Sequence, residues 1–191
     1  MAQRRVRCAP GEIRAIAAII VLDLPMDLHR ETKYAADPTT VYTMLTSESF
    51  IQMRARAAHA VRYDVAIESA GSGRRTRTHQ TLPADVPDFV RKLVGQHIEL
   101  DETITWGGAS PDGSRSGTLH VDIQGAPVTL RGTIQLVPES GGTATRQVVD
   151  AELKASVPLI GRKIGEAAAP AVLAGLDGME ELGRSWLAEN T

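Results

Sequence analysis

The chain has 191 residues, 42% of them hydrophobic and 23% charged, so it is long enough to form one domain with a full core. Its formal net charge of −2 excludes the strongly basic surface that attracts nucleic acid or an anionic membrane. The only cysteine, Cys8, cannot form an internal disulfide, which fits a cytoplasmic protein.

The first 25 residues differ in composition from the rest of the chain. The basic stretch MAQRRVRC precedes AIAAIIVLDL, an apolar run of about ten residues that is too short to span a bilayer. Three interpretations remain open: an extension outside the fold, a signal or anchor segment, and an integral part of the fold. A clean strand pattern begins at Met26, which could also be the natural start. We expect residues 1–25 to be an N-terminal extension, residues 26–191 to be the folded domain, and no stable membrane insertion.

The pattern after this extension predicts one strand followed by two short helices. Residues 26–35 alternate between apolar and polar side chains, as a half-buried strand does. Asp37 followed by Pro38 is typical of a helix start, and Ser47 begins a second helical segment.

Six further strands follow in series and are joined mostly by tight turns. They are predicted in VRYDVAI, RRTRTHQTL, HIELDETITW, GTLHVDI, VTLRGTIQL and RQVVDAELKASV. A short amphipathic helix in DVPDFVRKLVG interrupts the series, with Asp85 as its N-cap and Gly95 as its stop. Serial strands with short connections form antiparallel sheets. The sequence therefore predicts an α+β fold with a curved, seven-stranded antiparallel sheet.

The segment VPLIGRKIGEAAAPAVLAGLDGMEELGRSWL, residues 157–187, predicts one long helix although it contains five glycines and Pro170. Only this helix is long enough to cover the apolar face of the sheet. Its predicted buried stripe comprises Ile160, Ile164, Ala168, Ala171, Gly175, Met179, Leu182 and Trp186. The stripe is large at both ends and small in the middle. Two possibilities remain open: the sheet approaches closely there, or space is left for a small molecule.

Three segments carry a resemblance to a known family: DPTTVYTMLTSESF, RTHQTLPADVPDFVRKLVG and SVPLIGRKIGEAA. They resemble an uncharacterised, mainly actinobacterial family of the START and polyketide cyclase-like superfamily, also called SRPBCC, over about Met26–Leu187. The resemblance implies the helix-grip fold, in which a curved sheet wraps around a long C-terminal helix. Most members of the superfamily bind hydrophobic small molecules or lipids between sheet and helix, and some are cyclases, aromatases or hydrolases.

Polar side chains on the apolar inner faces of the predicted strands are candidates for ligand contacts. Glu102 shares its face with Leu100 and Ile104, and an unpaired carboxylate there would carry a large desolvation cost. A contact between Glu102 and Arg30 is one way to satisfy it, and a position near the water-filled mouth is another. A β-bulge that turns Glu102 to the other face is a third possibility. Tyr63, Gln80 and Gln147 would orient a ligand by hydrogen bonds or act as satisfied core groups.

The leading hypothesis is a binding module that holds a hydrophobic small molecule or lipid between the sheet and the C-terminal helix. The candidate ligand-binding residues are Tyr63, Gln80, Glu102, Trp106, Leu130, Gln147, Ala168, Ala171 and Gly175. One alternative is a cyclase-like or aromatase-like enzyme with Glu102 as acid or base, and another is a protein-interaction module with a filled core. The histidines lack the spacing of a zinc site, so we expect no metal and no cofactor, and we expect no nucleic-acid partner.

Overall fold

A computed structural model describes residues 25–157 and 159–190. The predicted N-terminal extension lies outside the described residues, apart from Pro25. The elements are β1 (Met26–Tyr34), α1 (Pro38–Leu45), α2 (Glu48–Ala57), β2 (Arg62–Ala70), β3 (Gly73–Pro83), α3 (Asp88–Val94), β4 (His97–Trp106), β5 (Arg115–Ile123), β6 (Val128–Glu139), β7 (Ala144–Ala155) and α4 (Gly161–Asn190). One 3-10 turn, Ser140–Gly142, joins β6 to β7.

All seven strands form one antiparallel sheet in the order β1-β7-β6-β5-β4-β3-β2. Strands β2 to β7 are neighbours in sequence order. Strand β1 pairs with the outer edge of β7, and α1 and α2 connect β1 to β2 at the opposite edge of the sheet. The sheet is curved, and α4 packs against β1 and β7. The predicted fold class is confirmed, including the two short helices after the first strand.

Side-chain caps fix the starts of α1 and α2, as the sequence predicts. The Asp37 carboxylate accepts hydrogen bonds from the amides of Thr39 and Thr40 at 2.9 and 3.1 Å. A further hydrogen bond from the Thr40 hydroxyl is the main reason that the pKa of Asp37 is lowered. The predicted cap of α3 is wrong, because this helix begins after Pro87 rather than at Asp85, and no side chain caps it.

A glycine allows two neighbouring strands of the sheet to approach closely. A Cβ on Gly132 would overlap the carbonyl oxygen of Asp150 and lie 2.6 Å from the Cα of Ala151, on the neighbouring strand. Glycine within a strand is typical of bends and of close backbone approach. Gly132 therefore lets β6 and β7 pack as tightly as the curved sheet requires.

The interior is packed unevenly along the strands. Where β1 finishes, side chains from the sheet, α1 and α2 are almost completely buried; they include Tyr34, Met44, Phe50, Trp106 and Leu136. We call this the packed end. The opposite end, where β2 and β4 begin and β7 finishes, is crossed by the register row Tyr63, Gln80, Leu100, Ile123, Val128 and Ala155. We call this the open end, because the first four of these side chains remain half-buried.

The helices of the described residues do not include one with both the length and the apolar composition needed to span a membrane.

Candidate ligand-binding interior

Strand register places several predicted site residues on the same inner face of the sheet. One row across the strands contains Val65, Thr78, Glu102, Val121, Leu130 and Leu153. The next row towards the open end contains Tyr63 and Gln80. Glu102 and Leu130 therefore share the inner face with Tyr63 and Gln80, as the alternation of the sequence predicts, although Leu130 lies four strands away from Tyr63.

Apolar side chains of the inner face are only half-buried near the open end. They include Leu82, Ile98, Leu100, Val121 and Ile123 of β3, β4 and β5. On α4, Val172, Leu173 and Leu176 are likewise half-buried, although Ile164 and Met179 on either side of them are buried. These apolar side chains are therefore covered only in part by other residues of the chain.

Gly165, in the first half of α4, also borders unfilled space. The residue is buried, yet the position of a Cβ on it has no atom of the described residues within 4 Å, apart from adjacent residues and nearby helix backbone. A buried glycine in a fully packed seam would touch the opposite surface there. Gly165 therefore faces a gap rather than a close contact.

The predicted stripe of α4 is wrong at two site residues. Ala171 and Gly175 are exposed, and Ala168 is half-buried. The buried residues of α4 are Gly161, Ile164, Gly165, Ala169, Met179, Gly183, Trp186 and Leu187. This stripe is rotated by roughly 70° from the predicted one, taking 100° per residue. The spacing of small residues fits several stripes equally well, and contact with β1 and β7 selects one of them.

Close packing explains another glycine of α4. A Cβ on Gly183 would overlap the ring of Tyr34 and lie 3.3 Å from the terminal methyl of Met44. The next turn is anchored by Trp186, whose indole nitrogen donates to the Ser49 hydroxyl at 3.0 Å and whose ring meets Phe50 edge-on. Close packing on Tyr34 and Met44 thus accounts for Gly183, whereas a Cβ on Gly165 meets no atom of the described residues within 4 Å; neither glycine belongs to the small middle of the predicted stripe.

Glu102 is paired with an arginine that the sequence did not identify as its partner. The guanidinium of Arg54, in the last turn of α2, donates to both carboxylate oxygens at 3.1 and 3.3 Å. The side chains of Arg54 and Glu102 are only 19% and 12% exposed. Attraction to the Glu102 carboxylate raises the pKa of Arg54 despite its burial. The suggested contact with Arg30 is wrong, because Arg30 pairs with Asp177 of α4 at 2.6 Å.

Several buried polar groups of the inner face have no hydrogen-bond partner within the described part of the chain, and three of them are suited to contact a ligand. They are the Tyr34 hydroxyl, the Thr78 hydroxyl and the Gln147 amide oxygen. Burial raises the pKa of Tyr34 strongly, and the nearby Arg54 guanidinium opposes that rise only in part. Buried polar groups are normally hydrogen-bonded, so these atoms are suited to a ligand or to ordered water.

Two other predicted site residues have partners in the protein. Tyr63 is half-buried, and its hydroxyl accepts a hydrogen bond from Arg56 at 3.2 Å. Trp106 lies in the packed end, 1% exposed, with its ring edge-on to Tyr42 at 5.9 Å between centroids. The indole N–H of Trp106 has no partner among the described residues.

The outer face of the sheet is built from ion pairs. His79 lies 2.8 Å from Asp101 and 3.0 Å from Glu99, and a hydrogen bond to Asp101 is the main reason that the pKa of His79 is raised. Two open grooves on this face, of about 360 and 400 Å³, are bordered mainly by such charged side chains. Within the described residues, no group of three His, Cys, Asp or Glu side chains could hold a metal ion.

Solved structures of low sequence identity share this fold. The protein TTHA0849 from Thermus thermophilus is 18% identical with a TM-score of 0.56, and the match covers 87% of this chain and 100% of that chain. A START superfamily protein from Mycobacterium smegmatis is 14% identical with a TM-score of 0.52, covering 84% and 98%. Norcoclaurine synthase from Thalictrum flavum is 12% identical with a TM-score of 0.53, covering 99% and 100%.

The fold is therefore similar to that of START-like proteins, as the sequence resemblance implies. No curated protein matches the chain. A family model, by contrast, matches most of the sequence. Residues 30–187 match the family described as "Protein of unknown function (DUF2505)", and the chain belongs to that family.

Proposed function

We propose that this protein binds a hydrophobic small molecule or lipid between the inner face of the sheet and α4. The observation that carries the proposal is that a Cβ on buried Gly165 meets no atom of the described residues within 4 Å, apart from adjacent residues and nearby helix backbone. The half-buried apolar side chains of β3, β4, β5 and α4 support it. Small-molecule sites are concave and mostly apolar, with a few polar groups that set orientation. The open end provides the apolar part of such a site.

Polar groups of the inner face would orient the ligand. The Thr78 hydroxyl is buried without a partner among the described residues and stands beside Glu102 in the strand register. Gln147 and Tyr34 offer an amide oxygen and a hydroxyl nearer the packed end. A ligand that extends from the open end inwards would meet these groups in turn, so we expect it to carry at least one hydroxyl or carbonyl group.

Binding is favoured over the cyclase-like alternative by the surroundings of Glu102. Both of its oxygens already accept hydrogen bonds from Arg54, so it is not the free acid or base that the enzyme hypothesis requires. Norcoclaurine synthase has this fold, as does the START superfamily protein, so the fold alone does not decide between catalysis and binding. The space beside Gly165 likewise favours binding over a filled core.

Two matched glycine variants of α4 test the proposal. Gly165→Leu places a side chain into the proposed site, whereas Gly175→Leu places the same side chain on the exposed face. Both gain about the same helix propensity, up to about 1 kcal/mol, so neither is expected to lose stability. Binding is measured with the neutral fluorescent probe N-phenyl-1-naphthylamine, and folding with circular dichroism.

We expect Gly165→Leu to weaken probe binding at least about tenfold, which corresponds to about 1.4 kcal/mol of lost contact. Gly175→Leu should bind as the wild type does. Equal binding by both folded variants, or no probe binding by the wild type, would contradict the proposal. If the probe binds as expected, native mass spectrometry of protein purified from its own host identifies the natural ligand.

A further inference from the structure

Four polar side chains form a group near the middle of the inner face of the sheet. Glu102 of β4 is bonded to Arg54, and Thr78 of β3 lies directly opposite Glu102 in the strand register. Residues in this relation have their Cβ atoms about 4.5–5.5 Å apart. The Tyr34 hydroxyl lies near Arg54, whose charge opposes the rise in the pKa of Tyr34. We call Tyr34, Arg54, Thr78 and Glu102 the polar centre.

Both hydroxyl groups of the polar centre are buried without a hydrogen-bond partner among the described residues. Tyr34 is 1% exposed and Thr78 is 5% exposed. Thr78 does not bond to Glu102, although the two side chains are neighbours, and both oxygens of Glu102 accept from Arg54 instead. A buried hydroxyl without a partner destabilises the fold, so each of these groups can gain a hydrogen bond from a ligand.

The charges in and around the polar centre compensate one another. Arg54 is matched by Glu102, and Glu180, whose charge adds to the rise in the pKa of Tyr34, is bonded to Arg184 of the same helix. Within the described residues, the polar centre therefore offers a ligand no unpaired charge. A ligand carboxylate would be repelled by Glu102, and a ligand ammonium by Arg54. Either ion would also lose its hydration on entry.

The other arginines of the inner face do not change this balance. Arg30 is paired with Asp177 of α4. Arg74 and Arg115 lie at the packed end, where Arg74 is exposed and Arg115 stacks on an aromatic ring. Along their strands, these two residues are four and six positions away from the register row that contains Thr78. At about 3.3 Å per residue, the separations are about 13 and 20 Å.

A mainly apolar path leads from the polar centre to the open end. The next register row on β3 and β4 contains Gln80 and Leu100, and the row beyond it contains Leu82 and Ile98. All four side chains are half-buried. Their rows lie about 7 and 13 Å from Thr78 along the strands. An alkyl chain of medium length that begins at the polar centre would therefore lie against these side chains.

We propose that the natural ligand is an uncharged amphiphile, an apolar molecule whose hydroxyl or carbonyl group hydrogen-bonds to Thr78 in the polar centre while its apolar part extends towards the open end. The inference rests on the proposed function and narrows it to a class of ligand. The Thr78 hydroxyl can donate to either kind of group and can accept from a hydroxyl. By the same reasoning, fatty acid anions and long-chain amines are poor ligands.

Three probes with the same alkyl chain test this class: decan-1-ol, decanoate and decylammonium. Each displaces N-phenyl-1-naphthylamine from the protein near pH 7.5, where the carboxylate and the ammonium are charged, at concentrations below micelle formation. We expect decan-1-ol to bind at least about tenfold more tightly than either ion. Equal or tighter binding of decanoate would overturn the proposal.

Two variants separate recognition by the polar centre from a general preference for uncharged molecules. Thr78→Val should weaken decan-1-ol about three- to tenfold, whereas Thr103→Val, the same change on the outer face of β4, should leave its binding unchanged. Glu102→Gln leaves Arg54 without a carboxylate partner, so decanoate should bind at least about tenfold more tightly than it does to the wild type. Circular dichroism checks that each variant is folded. Unchanged binding of decan-1-ol by folded Thr78→Val, or no gain in decanoate binding by folded Glu102→Gln, would contradict the proposal. Thr78→Val nearly keeps the shape of the side chain and decides the question if Glu102→Gln does not fold.

Failure of this inference can be distinguished from failure of the proposed function. If the wild type binds the fluorescent probe but does not discriminate among the three decyl compounds, the interior binds ligands and only the ligand class is wrong. If the wild type does not bind the fluorescent probe, both proposals are wrong. Gly165→Leu should weaken all three decyl compounds by similar factors, because it fills apolar space and leaves the polar centre unchanged.

Discussion

Gly183→Ala is expected to destabilise the protein, although the same replacement at Gly178 of the same helix should stabilise it. Both residues lie in the interior of α4, so both alanines gain helix propensity. A Cβ at Gly178 meets no atom of the described residues within 4 Å, whereas one at Gly183 overlaps the buried ring of Tyr34. The Tyr34 side chain is 1% exposed and has no room to move aside.

The magnitudes follow from two opposing terms. Exchange of glycine for alanine in a helix interior contributes roughly 0.5–1 kcal/mol of stability. Overpacking of a filled core costs about 1–3 kcal/mol. Gly178→Ala should therefore gain up to about 1 kcal/mol, and Gly183→Ala should lose about 1 kcal/mol on balance. A difference of about 2 kcal/mol corresponds to roughly 4–8 °C in Tm for a domain of this size.

Thermal and urea unfolding, followed by circular dichroism at 222 nm, measure this difference. A Tyr34→Val background provides the control, because it removes the ring that Gly183 contacts, and Gly183→Ala is then expected to stabilise. If Gly183→Ala raised the Tm as much as Gly178→Ala in the natural background, the packing of Tyr34 on α4 described above would be refuted.

Three further predictions concern the sheet, the buried ion pair and the outer face. Gly132→Ala should cost about 3 kcal/mol or prevent folding, because the new Cβ meets neighbouring backbone; urea unfolding and soluble yield report this. Arg54→Met should cost about 3 kcal/mol by leaving Glu102 unpaired, and a second change, Glu102→Leu, should recover most of the loss in the same unfolding assay. The pKa of His79 is raised in the folded state, so protonated His79 stabilises the fold. This contribution to the free energy of unfolding is fully present below the pKa of the unfolded state, about 6.5, and is lost as the pH rises through the pKa of the folded state. His79→Asn should therefore cost up to about 1 kcal/mol near pH 5.5 and nothing measurable near pH 9.

Local patterns made most of the fold predictable. Most strands alternate between buried and exposed side chains over much of their length because one face is covered, and Asp37 and Ser47 mark helix starts by chemistry that acts within three residues. The prediction that Asp85 caps α3 was wrong because it did not take account of Pro87, two residues further on. Proline fixes an extended entry, so the helix began after it rather than before.

Long-range partners were not predictable in the same way. Glu102 was correctly placed on the inner face by alternation, but its partner Arg54 is 48 residues away on a helix whose position depends on the whole sheet. Arg54 and Arg30 both belong to half-buried segments, so the sequence offered no reason to prefer one. Contacts of this kind follow from how α2 packs, and no periodicity in the sequence encodes that packing.

The rotation of α4 has the largest consequence for the site. A glycine-rich helix has several stripes of small residues, and each could be interpreted as a gap for a ligand. Large residues decide which stripe is buried. Trp186 donates a hydrogen bond to Ser49, and the ring of Tyr34 occupies the space that the missing side chain of Gly183 leaves. These two contacts hold the C-terminal half of α4 at the packed end. The helix continues from Gly161 to Asn190, so this anchor influences the direction in which Gly165 points, more than four turns earlier, although Pro170 removes one backbone hydrogen bond between the two glycines. The tightly packed glycine and the glycine that borders empty space are thus linked, and a variant that turns the helix at Gly183 should also alter the proposed ligand site.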